Sequence, residues 1–331
     1  MNKSFASIAR FSYISGIAAT LALPSTRLQA AAADDAANGD SVYKPFPVLE
    51  NLNQIDNEDQ IDTPEELKTA SKTPDELSSD ELSKELSNPN SPLASMVFKQ
   101  VYTSWDGDLP NAGDQSSKIT QFQPVFPFPL SDDGTTNLFT RPVFAYAWQQ
   151  PVFDPAKNDF EDESGLLDPG FDIALGKTLD SGFVAVAGIQ GTTPWGADSL
   201  SADQWRLGPE ILLAKLNEKN FLAMFPAHQW DVSGGDQGYS TTQLELFGGI
   251  YLPNAWTIYT DSKWFYNWKE NQATIPINLT IRKVTKLGAL PFKLELALDY
   301  FIESDNRFGQ DWAVSLNISP VVPNFIYDLF Q

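Results

Sequence analysis

From about Ser91 onward, apolar and polar residues alternate with a period of two, the pattern of a strand with one face in an apolar environment. The clearest run is Gln272 to Lys283: Ala273, Ile275, Ile277, Leu279 and Ile281 share one face, and Thr274, Asn278, Thr280 and Arg282 the other. Leu290 to Ile302 sets Phe292, Leu294, Leu296, Leu298, Tyr300 and Ile302 against Lys293, Glu295, Ala297 and Asp299. Trp312, Val314, Leu316 and Ile318 oppose Ala313, Ser315 and Asn317. Leu244 and Leu246 oppose Gln243 and Glu245, while Leu207, Ile211 and Leu213 oppose Arg206 and Glu210. Clusters of Gly, Pro, Asn and Asp separate the segments, and about twelve strands result. They begin near Ser95, Ile119, Leu138, Phe171, Phe183, Gln204, Phe221, Ser240, Trp256, Gln272, Leu290 and Asp311.

Alternation alone fits either a soluble sandwich or a membrane barrel, since both have one apolar face. Three features favour the barrel. The segments reach the ~9–11 residues that a tilted strand needs to cross hydrocarbon. Tight turns (Asn217–Asn220, Pro253–Ala255) alternate with longer loops (Trp105–Ser116, Gln149–Asp168, Pro194–Ala202, Asp231–Gly238, Glu303–Gln310), although Asn267–Asn271 is short for this scheme. Aromatics collect near strand ends, and Trp105, Trp148, Trp256, Trp264, Tyr300 and Trp312 are the candidates for interfacial girdles, with Trp195, Trp230 and Trp268 beside them. The expected fold is therefore all-β: an antiparallel up-and-down transmembrane β-barrel of about twelve strands over 91–331. Pro142, Pro209, Pro226 and Pro276 fall inside expected strands, where each removes a ladder donor and calls for a bulge or a place at the rim.

The segment before the barrel differs. Residues 1–30 have a basic start (Lys3, Arg10), an apolar stretch from Phe11 to Leu23, a break at Pro24 and small residues from Ala30 to Ala33, the pattern of a cleaved signal peptide. Residues 31–90 are acidic and poor in aromatics, and read as a mostly disordered arm. Thr63 with Glu66, and Thr73 with Glu76, match capping boxes. Leu77, Leu82 and Leu86 make only a thin apolar stripe, so a solvated spacer is the plainer reading and a partner-binding helix the sharper one.

Composition then narrows the chemistry. The net charge of −21 over 331 residues argues against nucleic acid. The absence of cysteine excludes disulfides and thiolate sites. His228 is the one histidine, Ser233 is the nearest serine downstream, and no G-x-S-x-G motif is present, so no enzyme is expected. Asp and Glu are too abundant for spacing to single out a glycosidase-like pair. The acidic loops at Asp106, Asp108 and Asp114 and at Asp159–Glu163 lack EF-hand order and read as solvated. No cofactor and no metal is expected.

Asn88-Pro-Asn-Ser-Pro-Leu-Ala-Ser-Met, Gly107-Asp-Leu-Pro and Phe122-Gln-Pro-Val-Phe-Pro-Phe-Pro-Leu resemble an uncharacterised bacterial outer-membrane β-barrel family, often given the automatic label "transporter" or "neuromedin U". Arg141-Pro-Val-Phe, Gln150-Pro-Val-Phe-Asp, Trp205-Arg-Leu-Gly-Pro-Glu and His228-Gln-Trp-Asp-Val extend the likeness across about Asn88 to Pro320. The resemblance implies a barrel in the outer membrane of a Gram-negative bacterium and carries no catalytic residue. The chain departs from the usual terminal Phe of such barrels, ending Phe330-Gln331.

If the apolar faces meet lipid, the opposite faces line a lumen, because Arg or Lys on the lipid side costs about 2–4 kcal/mol at mid-membrane. The candidate lumen residues are Arg141, Arg206, Glu210, Gln243, Glu245, Arg282, Lys293, Glu295 and Asp299. They suit a passive channel or small-molecule transporter with a polar lumen; equally, they suit an internal salt-bridge ladder in a plugged structural or surface-interaction barrel. A soluble periplasmic β-sandwich that binds ligands is the third reading. The expected partners are outer-membrane lipid, the outer-membrane assembly machinery and a periplasmic partner for the acidic arm.

Overall fold

The structure, a computed structural model, describes residues 76–179, 181–234, 238–288 and 290–324. The signal-peptide region, Thr63 with Glu66, Thr73 and the Phe330-Gln331 ending lie outside the described residues.

Among the described residues, thirteen strands follow one short α-helix, α1 (Ser79–Glu85). They are β1 (Ala94–Asp106), β2 (Ser116–Pro129), β3 (Thr136–Asp154), β4 (Asp159–Leu166), β5 (Gly170–Thr178), β6 (Phe183–Thr192) and β7 (Arg206–Leu216), followed by β8 (Asn220–Asp231), β9 (Ser240–Leu252), β10 (Trp256–Asn267), β11 (Gln272–Leu287), β12 (Leu290–Glu303) and β13 (Gly309–Val322). Every pairing is antiparallel between neighbours, and β1 pairs with both β2 and β13, which closes the sheet. The wall has twelve strands because β4 is not a separate stave. It pairs only with the outer half of β3 (Tyr146–Asp154), while β5 takes the inner half (Thr136–Val143). This closed wall replaces the two-sheet sandwich considered from the sequence.

The alternation sorts as the polarity demands. Leu175, Ile211, Leu222, Ile277, Leu279, Leu296 and Leu298 all stand on the outer surface and are exposed. A continuous apolar exterior on a closed barrel, whose backbone groups are satisfied within the wall, is the solution required by hydrocarbon. Among the described residues no helix is long and apolar enough to cross a membrane. Near the tight turns, Lys215 lies over the Phe183 ring at 4.3 Å and Lys283 over the Trp256 ring at 5.2 Å, each keeping its ammonium at the rim.

The prolines need fewer bulges than expected. Only Pro276 sits at a register shift, between Ile275 and Pro276. Pro142 lies in the stretch between the pairs Phe122–Phe144 and Phe126–Thr140, where β2 and β3 are unpaired without a change of register. Pro209 and Pro226 both fall in gaps of the β7–β8 ladder, between Leu207–Trp230, Glu210–Ala227 and Leu213–Met224. The wall tolerates each missing donor by opening locally and resuming in register.

The two ends of the barrel differ. At the loop end, Trp105 and Ile119 of the wall pack with Ala112, Leu167, Leu200 and Phe308 of inward-folded loops in a buried apolar cluster. At the turn end, the chain before β1 crosses the mouth. Ser78 caps α1: its hydroxyl accepts from the Glu81 amide at 3.2 Å, and its own amide donates to Glu81 Oε2 at 2.7 Å. The helix therefore starts at Ser79, and Glu76 precedes it. A helix of seven residues is not stable by itself, so its order comes from packing. The thin stripe of Leu77 and Leu82 supplies it, buried with Leu93 against Ala255, Val284 and Val321, with Leu86 alongside.

Candidate functional site: the charged lumen

The inward faces of the strands enclose a cavity of about 360 Å³, floored at the turn end by Leu86–Pro89, Ser91 and Leu93. Of the candidates read from the sequence, Arg141, Glu210, Gln243, Glu245, Arg282, Lys293 and Glu295 line it. Arg206 is fully buried at the start of β7, its guanidinium 4.4 Å above the Tyr239 ring, outside the cavity lining. Asp299 accepts from Asn278 Nδ2 at 2.7 Å and is likewise outside the lining.

Most of the lumenal charges are matched. Arg141 Nε lies 2.7 Å from Asp172 Oδ1, and Lys263 Nζ 2.9 Å from Glu245 Oε2, to which Gln243 also donates at 3.4 Å. Glu295 is the centre of the densest group. Its Oε1 accepts from Arg282 Nε at 2.7 Å and Tyr259 Oη at 2.5 Å; its Oε2 accepts from Asn317 Nδ2 at 2.6 Å and faces Lys293 Nζ at 3.2 Å. Arg282 also stands over the Tyr259 ring at 4.4 Å and donates through Nη1 to Ser87 Oγ at 2.6 Å. One arginine thus joins the wall to the segment crossing the mouth. Burying an ion pair is worthwhile only when the remaining lone pairs and protons are also satisfied, and Glu295 meets that condition.

Glu210 does not. Its side chain is 2% exposed, and both carboxylate oxygens are buried with no hydrogen-bond partner. On its two neighbouring strands the facing residues are Gly188 and Ala227, which leave space beside the carboxylate. Asp261 Oδ1 is likewise buried without a partner. Lys99 of β1 lines the same cavity and forms no ion pair with any described residue.

The sequence reading missed Lys99, Asp172, Asp261 and Lys263. The signal was available: Thr257, Tyr259, Asp261 and Lys263 have one parity in β10, opposite to Trp256, Ile258 and Trp264.

The segment that crosses the mouth is held at both sides. Asp80 Oδ1 accepts from the Ala255 amide at 2.5 Å, Ser83 Oγ and Thr257 Oγ1 are 3.0 Å apart, and Lys286 Nζ donates to Leu77 O at 2.6 Å. On the far side Asn90 Nδ2 donates to Thr135 O and Thr178 Oγ1, both at 2.8 Å. Gly176 lies beneath it, where a Cβ would stand 2.4 Å from Asn90 Oδ1.

The candidate girdle residues divide. Trp148 is 63% exposed and donates to Thr120 Oγ1 at 2.6 Å; Trp256 and Tyr300 are also exposed on the outer surface. Trp264 and Trp312 are outward and half-buried, Trp312 against Tyr102 at 5.4 Å. Trp105 is a correction. It is 2% exposed, stacks on Phe308 at 4.7 Å and donates to Ser117 Oγ, because its parity in β1 is that of the inward Val101 and Thr103.

His228 faces outward near the loop end. Its Nδ1 is 2.7 Å from Thr242 Oγ1, its Nε2 3.3 Å from Ser240 Oγ, and its ring 4.2 Å from that of Trp230. Ser240, not Ser233, is thus its serine neighbour, and a threonine hydroxyl takes the position that a carboxylate would fill in a triad. In the acidic loops Asp159 Oδ1 accepts from Asn111 Nδ2 at 3.1 Å and the Phe160 amide at 2.9 Å. Among the described residues no three His, Asp or Glu side chains are placed to hold a metal ion.

No family model matches the chain, and no curated protein matches it. Solved structures do. An outer membrane channel from Pseudomonas putida F1 is 16% identical, with 70% of this chain and 96% of that chain covered and a TM-score of 0.54. The NanC porin (8% identity, 69% and 99% covered, TM-score 0.44) and outer membrane phospholipase A from Escherichia coli (13%, 71% and 91%, 0.38) are more distant. The chain has the fold of an outer-membrane β-barrel.

Proposed function

We propose that the protein is an outer-membrane channel for small polar solutes in a Gram-negative envelope, stoppered at its periplasmic mouth by the segment from Leu77 to Leu93. The observation that carries this reading is the lumen itself: a cavity of about 360 Å³ lined by charged side chains, with α1 at the mouth and not in the bore. A barrel that served only as scaffold would gain more from apolar filling, since buried ion pairs are seldom worth more than well-packed hydrocarbon. The likeness of the Asn88–Pro320 strings to barrels labelled as transporters, and the fold shared with a channel, support the same reading. Short turns would then face the periplasm and long loops the exterior. Outer-membrane lipid would cover the apolar wall, and the assembly machinery of that membrane would insert it. The acidic arm would extend into the periplasm, where a partner could engage it.

The inward-folded apolar cluster around Trp105 and Phe308 favours a second reading, a plugged barrel that acts through its outer loops. Planar-bilayer recording of the full chain separates the two. Ion conductance that rises when Leu82 is replaced by Asp supports the stoppered channel. Silence of both proteins, with a heat-shifted folded band on gels, overturns it in favour of the plugged barrel.

A further inference from the structure

The ion pairs of the lumen leave a remainder with a definite geometry. Arg141 is matched by Asp172, Lys263 by Glu245, and Arg282 with Lys293 by Glu295. What is left without a direct ion pair is a cation on β1, Lys99, whose charge acts at longer range on Asp261 and Asp299, and a carboxylate on β7, Glu210, with Arg141 as its nearest cationic neighbour and both its oxygens unpartnered. In the closed strand order β1 and β7 are separated by four strands on one side and six on the other, so they stand on nearly opposite walls of one cavity.

A carboxylate 2% exposed with two unpartnered oxygens is costly to keep buried. The cost is offset if a ligand supplies donors. No three carboxylate or imidazole groups converge among the described residues, so the donor is not a multivalent metal ion held by protein alone. An organic ammonium suits better, because Gly188 and Ala227 leave room beside Glu210, while the Phe225 ring on the next strand already carries the Arg141 guanidinium at 5.8 Å. On the opposite wall, Lys99 offers an ammonium to an anionic group. The cavity volume is within the ordinary range for small-ligand sites.

We propose that the lumen binds small zwitterions, solutes with an ammonium at one end and a carboxylate at the other, spanning from Glu210 to Lys99. This deepens the channel reading by naming its solute class, and rests on that reading only for transport, not for binding. Free ammonium and free carboxylate must both contribute, and a ligand of matching length binds best.

The test is calorimetric titration of the full chain, folded in detergent, with glycine, 4-aminobutyrate and 6-aminohexanoate. The N-acetylated and methyl-esterified forms of each serve as controls. At least one length should bind on the order of tenfold more tightly than either blocked form, the worth of a charged hydrogen bond. Glu210→Gln should abolish the advantage of the free amine and keep that of the free carboxylate; Lys99→Gln should do the reverse. The proposal is overturned if no zwitterion binds better than its blocked forms, or if both folded variants bind like the parent. Bilayer conductance in potassium chloride keeps the two readings apart. A chain that conducts but shows no zwitterion preference removes the solute class alone. A silent chain that binds zwitterions removes the channel and keeps the site.

Discussion

Asn137 and Asn90 are joined twice: Asn137 Nδ2 donates to the Asn90 main-chain oxygen at 3.1 Å and to its Oδ1 at 3.2 Å. Both residues are buried, and they fix the trailing end of the mouth segment to β3. Since Asn90 also donates to Thr135 and Thr178, Asn90→Ala removes three side-chain bonds at once, while Asn137 keeps the main-chain oxygens of residue 90 and Gly134 as acceptors. The expected loss is about 1–3 kcal/mol of docking free energy. Bilayer recordings should show longer openings, and limited proteolysis of the folded protein should cut sooner near residues 86–91.

Gly176→Ala tests the same contact from the wall. Its new Cβ would stand 2.4 Å from Asn90 Oδ1 and 2.8 Å from Phe139, so the asparagine must shift. In the wall only the Phe139 ring has to give way, and the heat-modified gel shift should stay near the parent temperature while proteolysis of the mouth segment accelerates. A parent-like proteolysis rate would show that Asn90 has room to yield.

How much of this was legible beforehand follows from where polarity is one-sided. In β6 to β13 one face meets apolar surroundings and the other a polar lumen, so a period of two was visible and the strand starts lie close to those expected. β4 was read as loop because Asp159-Phe-Glu-Asp-Glu has no apolar face to repeat: it pairs with β3 in the outer hairpin, away from the lipid-facing wall. Trp105 shows a second limit. Its place near a strand end suggests an interfacial role, whereas its parity in β1, shared with Val101 and Thr103, turns it inward onto Phe308 of the β12–β13 loop. The spacing of Leu77, Leu82 and Leu86 was too sparse to promise burial; the barrel mouth supplied the surface that the helix lacked.

The Glu295 cluster is expected to be asymmetric in its response to mutation. Arg282→Met leaves a buried carboxylate short of a partner and should cost about 3–5 kcal/mol, whereas Arg282→Met combined with Glu295→Leu, which also strands Lys293, should cost less than the sum of the two single changes. Urea unfolding in lipid vesicles measures both. Additive losses would mean that the pair is not energetically coupled.

Acid stability has one readable contributor outside the membrane span. In the β2–β3 turn, Asp133 is held down to about 2, first by the Ser131 hydroxyl, then by the Thr135 amide and hydroxyl. A depressed carboxylate stabilises the fold above its ordinary range and loses that contribution as pH falls from about 4 to about 2. Asp133→Asn should therefore flatten the pH dependence of unfolding in that window and leave its shape above pH 5 unchanged.

On the outer surface, Leu279→Arg should weaken the barrel by about 2–4 kcal/mol if the residue lies near mid-bilayer. The same change at Trp148, near the loop end, should cost much less. Refolding yield into vesicles distinguishes them, and equal yields would place the two residues at similar depth.

The pairing of β1 with β13 also sets an order of assembly. Ala94 pairs with Val322 and Asp106 with Gly309, so the seam is sewn by the first strand and the last. Until the final strand has been delivered, two open margins present unmet amide and carbonyl groups, which hydrocarbon penalises by several kcal/mol each. The helix docked at the mouth shortly precedes the first margin. It must dock either before the seam closes or afterwards from the turn end, and either route makes its docking part of the maturation of the barrel rather than an addition to it.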